Sequence, residues 1–470
     1  MKRELKELVL QKLATADQQI ANIHKEREPV HVVYGGAHLF KPETPEKLGR
    51  IAVSSLEKYA GDFADFSRAL WLKGADNLPT DSGAVRELEF QIADDPAKAF
   101  AKHPDAVFAW NVFQKTIEKL KSEPVEDYRI DFEDGYGFRK DSEEDAHAVS
   151  ASDNLAELWS FNKGKQAPST GFRIKSLQPE TRHRAIRTFE LFFENLVKKT
   201  SGWLPNDFVV ALPKIKSPAE TEALSTLLDA FEKNAGLKTG SIGIEILVET
   251  PESLTHLRQI ADACGGRCRS AHFGAYDYTS SFGIAGAHQH LRHKACDFAR
   301  NMMQNSLSGT GIRLSDSVTT EMPVPLHRSE NLSIAEIAEN RAVVQKAWRM
   351  HFNNINHSLQ NGFFQSWDLH PAQLVARFGA VYSYFLENLD DQSIRLNGFL
   401  EKATQAMTTG NIFDDMASAE GLLNFFTRGL RCGAFSYKQV KALTGLTKNE
   451  IDSGSFVRIM TERFRNGASA

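Results

Sequence analysis

The chain reads as an α/β protein of the (β/α)8 TIM barrel class, and three observations carry that reading. Short hydrophobic runs follow one another along its middle, each ending in a charged residue: YRIDFED (128–134), GFRIK (171–175), FVVALPK (208–214), GIEILVET (243–250) and SAHFGAYD (270–277). Runs this short, rich in β-branched and aromatic residues and closed by polar or glycine-rich breaks, are the pattern of strands buried on both faces of a parallel sheet. Their ends recur near residues 134, 175, 214, 250 and 277, an interval that holds one helix and two loops. The competing open doubly wound sheet usually announces a phosphate loop, and the chain has neither G-x-G-x-x-G after an early strand nor G-x-x-x-x-G-K-[ST].

The elements follow in order. Residues 1–29 form a helical extension: MKRELKELVLQKLATADQQI interleaves charge with apolar residues at helical spacing and lacks the apolar core of about 7–15 residues that a signal peptide needs. VHVVYGG (30–36) is the first barrel strand. Residues 41–127 are an elaborated first crossover, with helical runs TPEKLGRIAVSSLEKYA and NVFQKTIEKLK on either side of a Gly/Asp/Pro-rich stretch from Gly74 to Gly83. The five runs above supply strands two to six, and GTGIRLSDSV (309–318) and FFQSWDLHP (363–371) complete eight. The barrel therefore occupies 30–371. Residues 372–470 are a helical C-terminal appendage with breaks at Gly398, Gly410, Gly433 and Gly445.

Composition narrows the function. The 470 residues, 41% hydrophobic, exceed the roughly 250 that a barrel needs, which leaves room for the appended helices. Fifty-six Lys and Arg against 60 Asp and Glu give a net charge of −4, with no overall pull toward nucleic acid or an anionic membrane, so the expected substrate is small. No transmembrane stretch is present, and four cysteines in so long a chain make no disulfide framework, so a cytoplasmic location is expected. Cys264 and Cys268 in CGGRC do not make a zinc site, because Cys296 and Cys432 are not a second pair. SYKQVKALTGLTKNEIDSG has the outline of two short helices about a glycine, but its charge is too mixed for DNA binding.

The charged strand ends carry the chemistry. Glu249 and Asp277 close consecutive strands 28 residues apart, about one β/α unit, which sets their carboxylates side by side on one rim. Such a pair repels unless a cation or proton intervenes, and Mg2+ is held by one or two carboxylates plus waters and substrate oxygens. DFED adds Asp131, Glu133 and Asp134; Glu133 or Asp134 is placed to hold metal-bound water, whereas Asp131, inside the run, faces the interior or caps a neighbour. Arg173 offers a planar fork to a carboxylate or enolate oxygen, and Lys214 a second positive charge. Any one of these residues alone would read as a helix cap or a solvated loop residue. It is the set that points to a bound cation.

The ordered segments RIDFEDG, FRIK, LPKIKS, LVETPES, FGAYDYTSSFG and WDLHPAQ, spanning most of 128–373, resemble the citrate lyase beta subunit and malyl-CoA lyase family of the phosphoenolpyruvate/pyruvate barrel superfamily. Phe132 in DFED and the aromatic Tyr278 in AYDY resemble malate synthase, and TPEKL (44–48) resembles the family's N-terminal segment. The resemblance implies that Glu249 and Asp277 ligate Mg2+ directly and that Arg173 binds the oxygen of a 2-oxo acid such as glyoxylate or oxaloacetate and steadies an enolate. It also places Glu133 and Asp134 in the water-mediated shell and Lys214 beside them, with Gly274 and His370 in substrate binding. The implied activity is that of a Mg2+-dependent carbon–carbon lyase or aldolase, acting through an enolate on a hydroxy acid or its coenzyme A thioester, in a homo-oligomer. Two alternatives stand beside it: a malate-synthase-like acyltransferase condensing acetyl-CoA with a 2-oxo acid, and a catalytically silent barrel that binds a partner.

The chain also departs from the family pattern. The asparagine after the strand-three arginine is replaced by Lys175, suited to an extra anionic group or to pairing with a carboxylate. No segment matches the C-terminal G-K-x-[IV]-D of several relatives; Asp414 and Asp415 of GNIFDD correspond only loosely. An insertion between Ser280 and Met302 carries His288, His290 and His293, which read as a solvated loop or as contacts for a phosphate or polycarboxylate.

Overall fold

The computed structural model describes Glu7, Gln11 and residues 28–161, 168–409 and 416–467. Among these, eight parallel strands close into a barrel in chain order: β1 His31–Gly36, β2 Asp127–Asp131, β3 Ser169–Arg173, β4 Val209–Leu212, β5 Gly243–Val248, β6 Cys268–Phe273, β7 Arg313–Val318 and β8 Gln365–Asp368. The last strand pairs with the first, His31 opposite Ser366 and Val33 opposite Asp368. The eight expected strands are all present. The N-terminal extension, Gly410 and the two C-terminal aspartates, Asp414 and Asp415, lie outside the described residues, apart from Glu7, Gln11, Glu28 and Pro29.

Strands two to six end two to four residues before the predicted ends, at Asp131, Arg173, Leu212, Val248 and Phe273. The reasons are local. Asp131 accepts the backbone N–H groups of Glu133 (2.9 Å) and Gly135 (2.8 Å), which turns the chain out of the ladder directly after it. Pro213 has no N–H for the next ladder bond. The Thr250–Pro251 and Ser217–Pro218 pairs start helices at Pro251 and Pro218, each with a capping box. The charges therefore stand on the loops just above the strands rather than on them, Asp131 and Arg173 excepted.

Strand alternation sorts the side chains. Tyr128, Ile130, Phe172, Val210, Leu212, Ile244, Ile246 and Val248 face outward and pack with the surrounding helices. Val32, Tyr34, Ala211, Leu247, Val318 and Trp367 face inward, with Tyr276 packed against them. The same inward rows carry charge. Arg129 is gripped by Asp127 and, through Nε (2.9 Å) and Nη2 (2.7 Å), by Glu245, which also accepts from Ser270 (2.6 Å) and the Tyr34 hydroxyl (2.8 Å). Gly171 makes room for this, since a Cβ there would stand 2.6 Å from Arg129 Cδ.

By internal packing the chain forms two compact units, one of residues 1–23, 29–60 and 117–377, the other of 24–28, 61–116 and 378–470. The first contains the barrel. The second is helical and includes an aromatic cluster of Phe385, Phe425, Phe426 and Phe435. The predicted break at Gly398 does not occur, and helix Leu374–Thr409 runs through it. An interior glycine costs a helix only about 1 kcal/mol, too little to interrupt one whose flanking Leu396 and Leu400 are buried. Gly433 and Gly445, at φ +77° and +68°, do end helices, as the left-handed conformation requires. Among the described residues no helix is long and apolar enough to cross a membrane.

Candidate functional site

Arg173, the last residue of β3, lies at the centre of the rim. It is buried, and Nε and Nη2 each stand 2.6 Å from an oxygen of Asp131 in a two-pronged ion pair, while Nη1 lies 3.4 Å from Glu133. Register makes the pair: Asp131 and Arg173 are directly opposite in β2 and β3. The guanidinium also sits 4.7 Å from the centre of the Tyr34 ring, which is itself stacked on Trp367 at 4.3 Å. Burial works against the charge of Arg173, and Asp131 and Glu133 outweigh it, holding its pKa above the ordinary range.

Lys214 reaches the same group from β4. Its Nζ donates to Glu133 and, at 3.0 Å, to Asp134. Burial opposes its charge, but the two carboxylates raise its pKa. It is one of three non-glycine residues with positive φ among the described residues, at +55°, and in this conformation its backbone N–H donates to Glu249 Oε1. A left-handed residue after Pro213 thus spends its side chain on the β2 loop and its amide on the β5 loop.

Glu249 follows β5 and is 2% exposed. Burial, then the charges of Asp277 and Glu133, push its carboxyl up to about 8, against the pull of Arg173 and Lys214. Asp277 stands in the first turn of helix Ala275–Ser281, after β6; it is open to solvent, yet partial desolvation and Asp134 raise its pKa against Lys214 and Arg173. Glu133 is raised chiefly by burial. Asp134 is lowered in spite of burial, by its hydrogen bond with Glu133 and by Arg173 and Lys214.

Gly274 has a steric role. A Cβ at this position would stand 2.6 Å from Glu249 Cβ and 2.7 Å from its Oε2, so only glycine lets β6 pass the buried carboxylate. Gly274→Ala is expected to push Glu249 away from the Lys214 N–H and to cost about 1–3 kcal/mol of stability, as urea denaturation would read; an unchanged midpoint would show that the loop yields without strain.

The structure thus gathers Glu133, Asp134, Arg173, Lys214, Gly274, Glu249 and Asp277 on one rim. His370 stands in the turn after β8. Its Nδ1 accepts the Ala372 N–H (3.2 Å) and its own N–H donates to Gln373 (3.1 Å), so it caps the turn after β8. Lys175 resolves as a carboxylate partner, its Nζ 2.9 Å from the buried Glu144. In the histidine loop, His293 caps helix Lys294–Leu307 and Gln289 donates to the Tyr276 carbonyl (3.1 Å) and to Thr279 (3.0 Å). Asp131, read from sequence as an interior or capping residue, proves to hold Arg173; its inward parity with Arg129 was the available signal. Tyr34 had none, because its partners Trp367, Glu245 and His272 lie on β8, β5 and β6.

Five carboxylates, Asp131, Glu133, Asp134, Glu249 and Asp277, thus meet two cations, Arg173 and Lys214, and the pair least relieved of repulsion is Glu249 with Asp277. Among the described residues no group of three or more His, Cys, Asp or Glu side chains is assembled to hold a metal by itself. Two buried or rim carboxylates with open positions instead suit a hard divalent ion that keeps waters and takes substrate oxygens.

Among solved structures, the chain resembles a citrate lyase from Burkholderia xenovorans LB400 (18% identity, 70% of this chain and 91% of that one, TM-score 0.48). It also resembles the citrate lyase beta subunit of Mycobacterium tuberculosis, solved with oxaloacetate and magnesium (16%, 57% and 92%, 0.35). A third is malate synthase of Haloferax volcanii in a magnesium/glyoxylate complex (14%, 54% and 65%, 0.41). Against the malate synthase the chain spans less than two thirds of the relative's length. No curated protein matches it. Residues 13–459 match the family described as "Domain of unknown function (DUF6986)", and the chain belongs to that family.

Proposed function

We propose that this protein is a Mg2+-dependent carbon–carbon lyase or aldolase that handles a 2-oxo acid such as glyoxylate, pyruvate or oxaloacetate through an enolate. The observation that carries the reading is the Glu249–Asp277 pair, in which burial and the neighbouring carboxylates push Glu249 up to about 8 beside two fixed cations. Glu249 and Asp277 would hold the ion, with Glu133 and Asp134 steadying its waters. When bound, Mg2+ polarises a carbonyl toward the enolate. Arg173, locked by Asp131 and Tyr34, is pre-oriented to meet the negative oxygen without rearranging as charge develops. Lys214 links the β2 and β5 loops and keeps Glu133 and Glu249 in place.

A screen of glyoxylate, pyruvate and oxaloacetate with Mg2+, each with and without acetyl-CoA, tests the assignment. Turnover of a 2-oxo acid or release of one from a hydroxy acid, lost with chelator, is the expected result. Turnover that consumes acetyl-CoA and releases free coenzyme A would move the protein to the acyltransferase class, and no binding of any 2-oxo acid in the presence of Mg2+ would leave the barrel a binding protein.

A further inference from the structure

Of the two candidate ligands, Glu249 is buried in the barrel and Asp277 is open to solvent, on a helix, Ala275–Ser281, of only seven residues. Two turns of helix are not stable alone and keep their shape through ties to their surroundings. At the start of this one, Ala275 donates its N–H to the Ser317 hydroxyl (3.1 Å) and Gly274 donates to the Val248 carbonyl (3.0 Å). On its inner face the buried Tyr278 ring packs edge-on against Phe273 at 5.5 Å. These contacts fix the root of the helix and its buried side, whereas Asp277 stands on the exposed one.

The turn that carries Asp277 is held from the histidine loop. Gln289 Nε2 has two protons and spends both there, one on the Tyr276 carbonyl (3.1 Å) and one on the Thr279 hydroxyl (3.0 Å). Chemistry fixes the roles: a carbonyl can only accept, and the Thr279 hydroxyl, accepting from Gln289, gives its own proton to the Ala275 carbonyl (2.7 Å). The Tyr276 carbonyl belongs to the planar peptide unit that ends at the Asp277 nitrogen, so a bond to that oxygen restrains the rotation that would swing Asp277. Thr279, two residues beyond, adds a second hold on the same turn.

The loop itself is anchored on either side of its glutamine's neighbours. Leu291 is buried in the core around the barrel, and its carbonyl accepts from Arg300 Nη2 (2.7 Å). Arg300 is buried in turn and held by Asp316 (2.8 Å) and Asp297 (2.8 Å). His293 caps the next helix by accepting the Ala295 N–H (3.1 Å). Exposure alternates along HQHLRH: His288, His290 and Arg292 are exposed, while Gln289 is half-buried and Leu291 buried. The glutamine and the leucine, not the first two histidines, are the residues this segment turns toward the protein.

We propose that Gln289 is a positioning residue for Asp277, a role that rests on the metal assignment above. Mg2+ accepts little departure from octahedral geometry, so a carboxylate that serves it from an exposed turn has to be held in place before the ion arrives. Gln289 supplies that hold through the backbone, and so does not compete with the ion for the carboxylate oxygens. The insertion between Ser280 and Met302 thereby gains a role in which its exposed histidines take no part.

Calorimetric titration with Mg2+ alone tests the role, with Mn2+ and the EPR signal of the free ion as the reading where binding is weak. Gln289→Ala should weaken binding about tenfold, the size of loss that follows when a ligand loses its support. The same substitution in an Asp277→Asn background should change the affinity by less than about twofold, because the residue it acts through is gone. A merely structural role would cost as much in both backgrounds. His290→Ala should bind the ion as wild type does. Wild-type affinity in Gln289→Ala, equal losses in the two backgrounds, or a loss in His290→Ala as large as in Gln289→Ala overturns the proposal. A wild type that binds neither ion, or Asp277→Asn that binds as tightly as wild type, overturns the metal assignment itself, and this role with it.

Discussion

Glu249→Gln is expected to abolish Mg2+ binding at neutral pH, by at least about 100-fold, and at the same time to make the metal-free protein more stable at pH 8. The two effects have one cause. The native Glu249 carboxyl is pushed up to about 8 from 4.5, so between those values the folded protein keeps a proton that the unfolded chain has released. Folding stability from this group is therefore greatest below pH 4.5 and is lost as pH rises toward 8, at about 1.4 kcal/mol per unit and a total on the order of 5 kcal/mol. Glutamine has the shape of the protonated acid and keeps an oxygen for the Lys214 N–H, so it escapes the loss. Urea denaturation at pH 5 and pH 8 should give similar midpoints at the lower pH and a higher one for the variant at pH 8. Added Mg2+ should raise the wild-type midpoint and leave the variant unmoved. A variant still stabilised by Mg2+, or a difference that does not change with pH, would defeat the assignment of Glu249 as a strained, cation-seeking carboxylate.

The largest structural effect is expected beneath the site. Arg129→Met should cost about 3–5 kcal/mol, because it leaves Asp127 and Glu245 charged in the barrel interior without their cation. That is a large share of a typical domain's stability. Burial alone would raise Glu245, and Arg129 with His272 instead hold it well below the ordinary carboxylate range, so the arginine is what keeps the acid ionised. The loss should reach upward as well, since Glu245 accepts from the hydroxyl of Tyr34, the ring under Arg173. The double variant Arg129→Met, Glu245→Gln should recover part of the loss by removing one orphaned charge, and a double-mutant cycle in urea measures that coupling. A loss of less than about 1 kcal/mol in the single variant would mean that solvent reaches the barrel interior and screens these charges.

Much of this architecture was legible in the chain. The eight runs fold as eight strands because each is too short and too apolar to be anything but a buried strand between turn residues. Glu249, Asp277, Arg173, Lys214, Glu133 and Asp134 could be named because a parallel barrel sends every strand end to one face, so consecutive charged ends share a rim. Exact strand ends were not legible. They depend on side chain to backbone bonds such as those of Asp131, and on helix starts such as Pro251, that shift a boundary by a few residues. The break assigned to Gly398 failed for a similar reason, since burial on either side outweighs one glycine's preference.

By itself, then, the sequence determined the barrel, the order of its strands and which charged residues meet at its mouth, because strand periodicity and strand-end chemistry are local properties carried by a few residues each. Tertiary structure alone decided what those charges do to one another. Asp131 became the grip on Arg173, Lys214 the tie between two loops, and Glu249 a carboxylate pushed up to about 8. Each of those states is set by burial and by partners tens to hundreds of residues away in the chain, and no local pattern records them.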